Sequence, residues 1–430
     1  SLNDDLTKGP PMSTGPRDPA AGGVRRATSA RRAFGTLALA LATLALPAPQ
    51  AAIQAQEFEI SGQIRPRTEG RTPVDDGGWD YFTSMRTRVG VLATLPKGVS
   101  VFAQFQDVRI WGSESSTLDF DAEGLDLHQG YLDLVFDKQL SGYFRAGRQE
   151  VNFGGQRLVG TVDWAQQARA FDGAKLNLRR GGHQLEFLAS KIYENSAQNQ
   201  TEDAEFLGAY GVLDLNSVGD LDLYWLFDRN ASEDEKTAEH TFGARWVATF
   251  AGTQLRLEGS LQRGDREGLD SDAFMLGARW GGGLGSSGFG GTLWYDYLSG
   301  DQDVDDGKAG TFNTLYATNH KFYGFYDLFL NIPANTGRHG LQDAAVKTYY
   351  RPGGAWDVAA DFHFFNAAEQ RSLSTGSLAK ELDLTGRYRY SENLSLMAGY
   401  AYVWADDGIK EIGRLSEDGQ WTYMMLNVTF

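Results

Sequence analysis

The chain contains no cysteine in 430 residues, which excludes disulfides, thiol nucleophiles and cysteine-ligated metals. It also lacks a long apolar run: no mature segment reaches the roughly 18 consecutive apolar residues of a spanning helix. With a mean hydropathy of −0.39, a helical membrane protein is excluded. Positive charge is in deficit. A net charge of −16 argues against nucleic acid as a partner. The histidines are few and solitary: His128, His183, His240, His320, His339 and His363 form no His-x-x-x-His pair and flank no nucleophile motif.

What is present is a beat of period two. From about Glu57 to Phe430, segments of roughly ten residues alternate apolar and polar and are separated by turns. In Leu255–Gln262 the apolar face carries Leu255, Leu257, Gly259 and Leu261, and the other face Gln254, Arg256, Glu258, Ser260 and Gln262. One face suits lipid and the other water, so the pattern predicts an all-β fold, a transmembrane antiparallel β-barrel of about eighteen strands. A soluble sandwich of this length would divide into domains with less regular connections.

Connections alternate in length. Leu95–Gly98, Asp137–Leu140, Arg180–His183, Phe250–Thr253, Arg351–Ala355 and Ser391–Asn393 are short and read as periplasmic turns; Trp111–Gly124, Val151–Gln167, Glu194–Asp203, Ser299–Leu341 and Ala405–Gln420 are long and read as extracellular loops. Parity decides one ambiguous segment: Phe322–Leu330 as a further strand would invert every later turn, so it is placed within the loop Ser299–Leu341, whose length suits a channel-narrowing role. Trp111, Trp246, Trp280, Trp356, Trp404 and Trp421 fall at strand ends, where aromatic girdles form. Tyr423–Phe430 ends in an aromatic, resembling the outer-membrane assembly signal.

Arg25, Arg26, Arg31 and Arg32 precede an apolar run, Ala33–Leu46, followed by the small residues Ala48, Ala51, Ala52 and Ala55. This is the layout of a secretory signal peptide. Met12 is a candidate start. Residues 1–55 are assigned as extension and signal peptide, and residues 56–430 as the barrel.

Separating the two faces separates the charges. The face opposite the apolar one carries Arg65, Arg67, Arg86, Arg88, Arg145, Arg169, Lys175, Arg179, Arg245, Arg256, Arg279, Lys347, Arg387 and Arg389. Acid clusters lie in the outward loops at Asp119–Glu123, Glu233–Glu235 and Asp301–Asp306. The lumen is therefore predicted to be basic although the chain is acidic. Guanidinium groups in a confined aqueous path favour anions over cations and hold carboxylates bidentately. The same arginines can instead brace the wall against Glu59, Asp133, Glu186, Asp222, Glu258, Asp361, Glu381 and Asp383.

Two stretches carry more than periodicity. The first is Gly147, Arg148, Gln149, then Gln156–Gly160, Asp163, Trp164, Arg169 and Phe171, Asp172, Gly173. The second is Thr318, Asn319, His320, Lys321, then Tyr323, Gly324, Phe325, Asp327 and Gly340, Leu341, Gln342, Asp343. Together they resemble the alginate export family of outer-membrane porins. The resemblance implies an eighteen-stranded monomeric barrel in outer-membrane lipid, with an arginine-lined constriction that passes an anionic carbohydrate. It places Arg86 and Arg88 on the second strand, Arg145 and Arg148 on the fifth, Arg169 on the sixth, and Arg387 with Arg389 on the sixteenth. Simple alternation sets Arg148 on the lipid face, so a luminal position there requires a bulge or the barrel's end.

The combined reading is a passive outer-membrane channel for anionic solutes, an acidic oligo- or polysaccharide or small organic anions, without cofactor or metal. Its lining is Arg65, Arg86, Arg88, Arg145, Arg148, Arg169, Arg245, Arg279, Arg387 and Arg389, with Asn319, His320, Lys321 and Asp327 in a constricting loop. The competing classes are an outer-membrane enzyme and a structural or receptor barrel. Asp301, Asp303, Asp305 and Asp306 lack the framing of a calcium loop.

Overall fold

The computed structural model describes residues 57–73, 78–113, 124–138, 140–194, 203–232 and 236–430. The signal segment and the acid clusters Asp119–Glu123 and Glu233–Glu235 lie outside the described residues. Among the described residues no helix is long and apolar enough to cross a membrane, and the architecture is strand on strand.

Eighteen long strands follow the beat. They are β1 (Glu57–Thr72), β2 (Asp80–Leu95), β3 (Val99–Ile110), β4 (Leu125–Asp137), β5 (Ser141–Gln149), β6 (Phe171–Arg180), β7 (His183–Tyr193), β8 (Ala204–Asp214) and β9 (Asp220–Asn230). The second half comprises β10 (Thr237–Phe250), β11 (Thr253–Arg266), β12 (Leu269–Gly283), β13 (Phe289–Leu298), β14 (Leu341–Tyr350), β15 (Trp356–Asn366), β16 (Ser377–Arg389), β17 (Leu394–Ala405) and β18 (Gly419–Thr429). Each pairs antiparallel with its neighbour in sequence, and β1 pairs with β18 from Gln63↔Thr429 to Thr72↔Gln420. The sheet is a closed barrel without a free edge. Phe322–Leu330 lies in the loop between β13 and β14, as parity requires; that loop adds only a two-residue strand, Lys308–Ala309, parallel to β12.

The pleat sorts side chains as the sequence predicts. On β11, Ser260 and Gln262 are buried in the interior whereas Leu257 and Leu261 are exposed on the outside. The outer surface repeats this in Val89, Phe105, Leu134, Phe187, Leu223, Phe242, Leu276, Leu293, Val346, Phe364 and Leu426. An apolar belt of that extent is the lipid-facing surface of a membrane barrel. Trp111, Trp280, Trp356 and Trp404 lie on it, exposed. Trp421 departs from the girdle expectation. On β18 it shares the inner face with Tyr423 and Met425, is buried, and its indole nitrogen donates to Glu69 Oε2 (3.3 Å).

The short connections gather at one end and the long ones at the other. The exception is the turn between β11 and β12 on the long-loop end. There Glu267 and Gly268 take φ of +53° and +76°, the paired left-handed residues of a tight hairpin. The interior is filled by two inward-folded loops, residues 150–170 and 299–340. They bring Val151, Val159, Phe312, Phe322, Tyr323, Phe329 and Ile332 into a core within the barrel.

A charge introduced on the lipid-facing side tests this arrangement. Leu257→Arg should cost ~2–4 kcal/mol in reversible folding into phospholipid vesicles, whereas Ser260→Ala on the inner face should cost far less. Equal effects at the two sites would contradict the assignment of faces.

Candidate functional site

The loop 150–170 begins where β5 ends and turns at once into the barrel. Phe153 N donates to Val159 O (3.1 Å) and Gln156 N to Phe153 O (2.9 Å), closing a compact turn. That turn meets the second loop. Gly160 N donates to Tyr316 O (2.9 Å) and Thr318 N to Gln156 O (3.0 Å), around an isolated parallel bridge between Val159 and Tyr316. The approach requires glycine at position 160, because a Cβ there would lie 2.3 Å from Thr318 Oγ1. Arg169 fastens the joint by donating to Gly160 O (3.1 Å) and to Tyr316 O. It stands just before β6 rather than on it. The two loops therefore form one body.

This body places Asp163 against the wall at β1 and β2. Arg65 and Arg86 are register partners on these strands, so the pleat forces both guanidinium groups into the lumen side by side. Arg86 Nη2 lies 2.9 Å from Asp163 Oδ1, Arg65 Nη1 3.4 Å from Oδ2 and Arg88 Nη1 3.7 Å from Oδ1. Further donors go to fixed acceptors. Arg86 Nε and Nη2 bond Gln63 Oε1 (2.9 and 2.7 Å), Arg88 Nε bonds Gln106 Oε1 (2.7 Å), and Arg65 Nε bonds Gln166 Oε1 (3.0 Å). Arg67 donates to Trp164 O (2.6 Å) and to Glu69 Oε1 (2.8 Å), with its guanidinium 4.2 Å from the Trp164 ring centroid. His128 Nε2 lies 2.8 Å from Glu150 Oε1 and 2.9 Å from Arg88 Nη2. Burial alone would raise the Asp163 carboxyl, but Arg86, Arg65 and Arg88 outweigh it and hold it below the usual carboxylate range.

Beside this cluster a small cavity is lined by Arg65, Asp163, Trp164, Thr318, His320 and Lys321. The His320 ring is stacked between Trp164 (4.7 Å) and Phe325 (5.0 Å), and its Nδ1 lies 2.7 Å from Asp327 Oδ1. Lys321 Nζ donates to Gly155 O (3.4 Å). Asn319 Nδ2 donates to Thr314 Oγ1 (2.9 Å) and Leu330 O (3.0 Å), which makes it a brace internal to its loop.

The remaining arginines are placed differently. Arg145 binds Asp133 through two nitrogens (2.7 and 2.8 Å), Arg245 binds Asp222 (2.6 Å), and Arg387 (2.7 Å) and Arg389 share Asp357. These are ion pairs bracing the wall. Arg279 stacks on Trp294. Arg148 is corrected by the structure: alternation is unbroken from Arg145, so Arg148 points outward and pairs with the exposed Asp172 (2.6 Å).

Several charged groups were missed as site residues. Arg157, at the tip of the first loop, donates to Asp296 (2.7 and 3.0 Å) and Glu258 (3.1 Å), tying the loop to β11 and β13. On the opposite wall, Glu381 accepts the Tyr326 N–H (2.7 Å) and Asp383 the Phe325 N–H (3.3 Å), so β16 holds the second loop by its backbone. The available signal was spacing: Glu381 and Asp383 stand two apart on one strand face. Among the described residues no group of acids and histidines is arranged to hold a metal.

The model of the alginate export family matches residues 57–420. Among solved structures, Acinetobacter baumannii OccAB4 is similar with a TM-score of 0.61 at 11% identity, over 88% of this chain and 99% of that one. Pseudomonas aeruginosa OpdO is similar with a TM-score of 0.61 at 15% identity, over 87% and 98%. The outer membrane protein OpdK from Pseudomonas aeruginosa gives 0.57 at 12% identity, over 86% and 98%. At such identities the likeness is one of fold. No curated protein matches the sequence.

The Asp163 cluster has a definite pH signature. With its carboxyl below the ordinary value when folded, its contribution is complete above the unfolded value and is lost only as pH falls through the lowered one. Protease resistance of the loop 150–170 should therefore stay constant from pH 8 to about pH 5. Asp163→Asn should lower stability by about 1–3 kcal/mol at all these values, read as an earlier transition in heat-modified gel migration. Loss of resistance already at pH 6 in the parent protein would contradict this account.

Proposed function

The chain belongs to the alginate export family, and from that premise we propose that its outer-membrane channel prefers anions and passes an acidic oligo- or polysaccharide or another anionic solute. The observation carrying this reading is the charge balance where the first loop meets the wall. Arg65, Arg67, Arg86 and Arg88 stand against Asp163, Glu69 and Glu150. Arg169 adds a cation whose hydrogen bonds go to carbonyl oxygens. Among these groups five cations stand against three carboxylates, in a confined part of the lumen. A passing anion meets a favourable field, and a cation meets a barrier.

On this reading residues 1–55 deliver the chain as extension and signal peptide, the long-loop end faces outward, and a single barrel acts as a monomer in lipid. The loop body narrows the path and His320, stacked and hydrogen-bonded, fixes its shape. No cofactor or nucleic acid takes part, and the barrel performs no catalysis.

Purified protein in a planar bilayer under a potassium chloride gradient tests the proposal. The reversal potential should indicate chloride preference at neutral pH. Changing Arg86, Arg88 and Arg387 together to Gln should reduce the chloride-to-potassium permeability ratio several-fold, with folding checked by heat-modified gel migration. Cation preference in the parent protein would sink the proposal, and an unchanged ratio in the folded triple variant would remove these residues from the lining.

A further inference from the structure

Near the long-loop end, β16 carries Glu381 and Asp383 on its inner face, 0% and 1% exposed. The second loop seats its backbone on them. Tyr326 N donates to Glu381 Oε1 (2.7 Å) and Phe325 N to Asp383 Oδ2 (3.3 Å). The seat requires glycine just before these amides: Gly324 takes φ of +81°, and a Cβ there would run into the Glu381 carboxylate. Three further bonds clamp the same segment. Tyr326 Oη donates to Thr72 O (2.9 Å), Arg71 Nη2 to Tyr326 O (2.8 Å) and Arg414 Nη2 to Leu328 O (3.1 Å).

Two amides do not balance two buried acids. Among the described residues, Glu381 Oε2 and Asp383 Oδ1 receive no donor, and the two carboxyl groups lie within hydrogen-bonding reach of each other. Such a contact is attractive only with a proton between the groups; ionised together in a dry site, they repel. The neighbouring cations are committed elsewhere. On β15, His363 stands opposite Glu381 in register and Asp361 opposite Asp383. His363 Nδ1 lies 2.9 Å from both oxygens of Asp343 on β14, and its Nε2 is 4.0 Å from Asp383. Lys347 is held by Asp361 (3.0 Å), and the loop's Asp327 is turned to His320. β17 faces the pair with Val403 and Ala401, β18 adds Tyr423, and Arg67 of β1 is held by Glu69 (2.8 Å).

We propose that Glu381 and Asp383 form a proton-binding site that latches the second loop. One shared proton lets the loop backbone seat on the pair. When it leaves to water, two adjacent carboxylates repel and hydrate, and the segment around Phe325 and Tyr326 lifts from β16. Seating takes up a proton, so the latch closes as pH falls and opens as pH rises. The width of the lumen then responds to pH, whatever solute passes.

The chain has no cysteine of its own, so a nitroxide on Asn331→Cys, an exposed position of the second loop, reports this segment alone. In the full chain in phospholipid vesicles the label should be immobile at about pH 6 and mobile at about pH 9. The mobile-to-immobile ratio should rise by up to about tenfold per pH unit as one proton leaves. Glu381→Gln and Asp383→Asn each place an amide donor where the proton sits, and each should keep the label immobile across the range. Merely structural damage would free it at every pH. Gly324→Ala leaves both acids in place but blocks the seat, and should free the label at both pH values. An immobile label at pH 9 in the parent overturns the latch, as does a pH response that persists in both folded amide variants. If neither amide variant folds by gel migration, an immobile label in folded Gly324→Ala overturns the seat itself. The readout needs no permeating solute, so it stands or falls apart from the anion preference.

Discussion

Closure of the sheet is the constraint on which the rest depends. In hydrocarbon no water reaches an unpaired N–H or C=O, and each such group costs several kcal/mol, so the wall must satisfy itself without an edge. The β1–β18 pairing does so. Once the ring is closed the pleat leaves each residue two choices, lipid or lumen. Arg65 and Arg86, opposite each other on adjacent strands, have no route outward that avoids burying a charge in lipid. They point inward together, and two like charges at that spacing need a counter-charge. The wall does not supply it; Asp163 does, from a loop 98 residues beyond Arg65 in sequence. Closure thus leads to charge crowding, and crowding to an inward loop.

That loop is held as firmly as the wall. Its carbonyl oxygens accept from Arg65 and Arg67, its Arg157 reaches across to Asp296, and a parallel bridge joins it to the second loop. The aromatic stack of Trp164, His320 and Phe325 seals the junction with apolar contact. Because both loops carry buried side chains into the lumen, the barrel has a packed core where a wider pore would have water.

The fold was legible because period two is imposed by geometry that ignores tertiary detail. Leu257 and Ser260 could be assigned to opposite faces from alternation alone, and parity removed Phe322–Leu330 from the strand count. The inward placement of Arg65, Arg86, Arg145 and Arg245 followed from the same rule. Partnership did not. Whether Arg145 meets an anion or Asp133 depends on cross-strand register, and the choice of Asp163 as counter-ion depends on how a loop folds. Trp421 was misplaced because strand-end position was weighed above alternation, which sets it with Tyr423 and Met425. Arg148 was drawn inward by resemblance where alternation pointed out. The tight turn at Glu267 and Gly268 broke the rhythm of long and short connections without breaking parity.

Counting charges by face understates the asymmetry of the lumen. Acids on the inner face of β14 to β16 are consumed by structure: Asp343 lies 2.9 Å from His363 Nδ1, Glu381 and Asp383 receive backbone amides of the second loop, and Asp361 holds Lys347 (3.0 Å). Asp343, Glu381 and Asp383 are at most 1% exposed, so they are committed to His363 and to the second loop rather than presented to a solute. On the β1 and β2 side the first loop brings Asp163 and Glu150 to the guanidinium groups together with several carbonyl oxygens, which orient arginines without adding charge. The second loop meets β16 with backbone amides instead, so each loop answers the polarity of the wall it packs on.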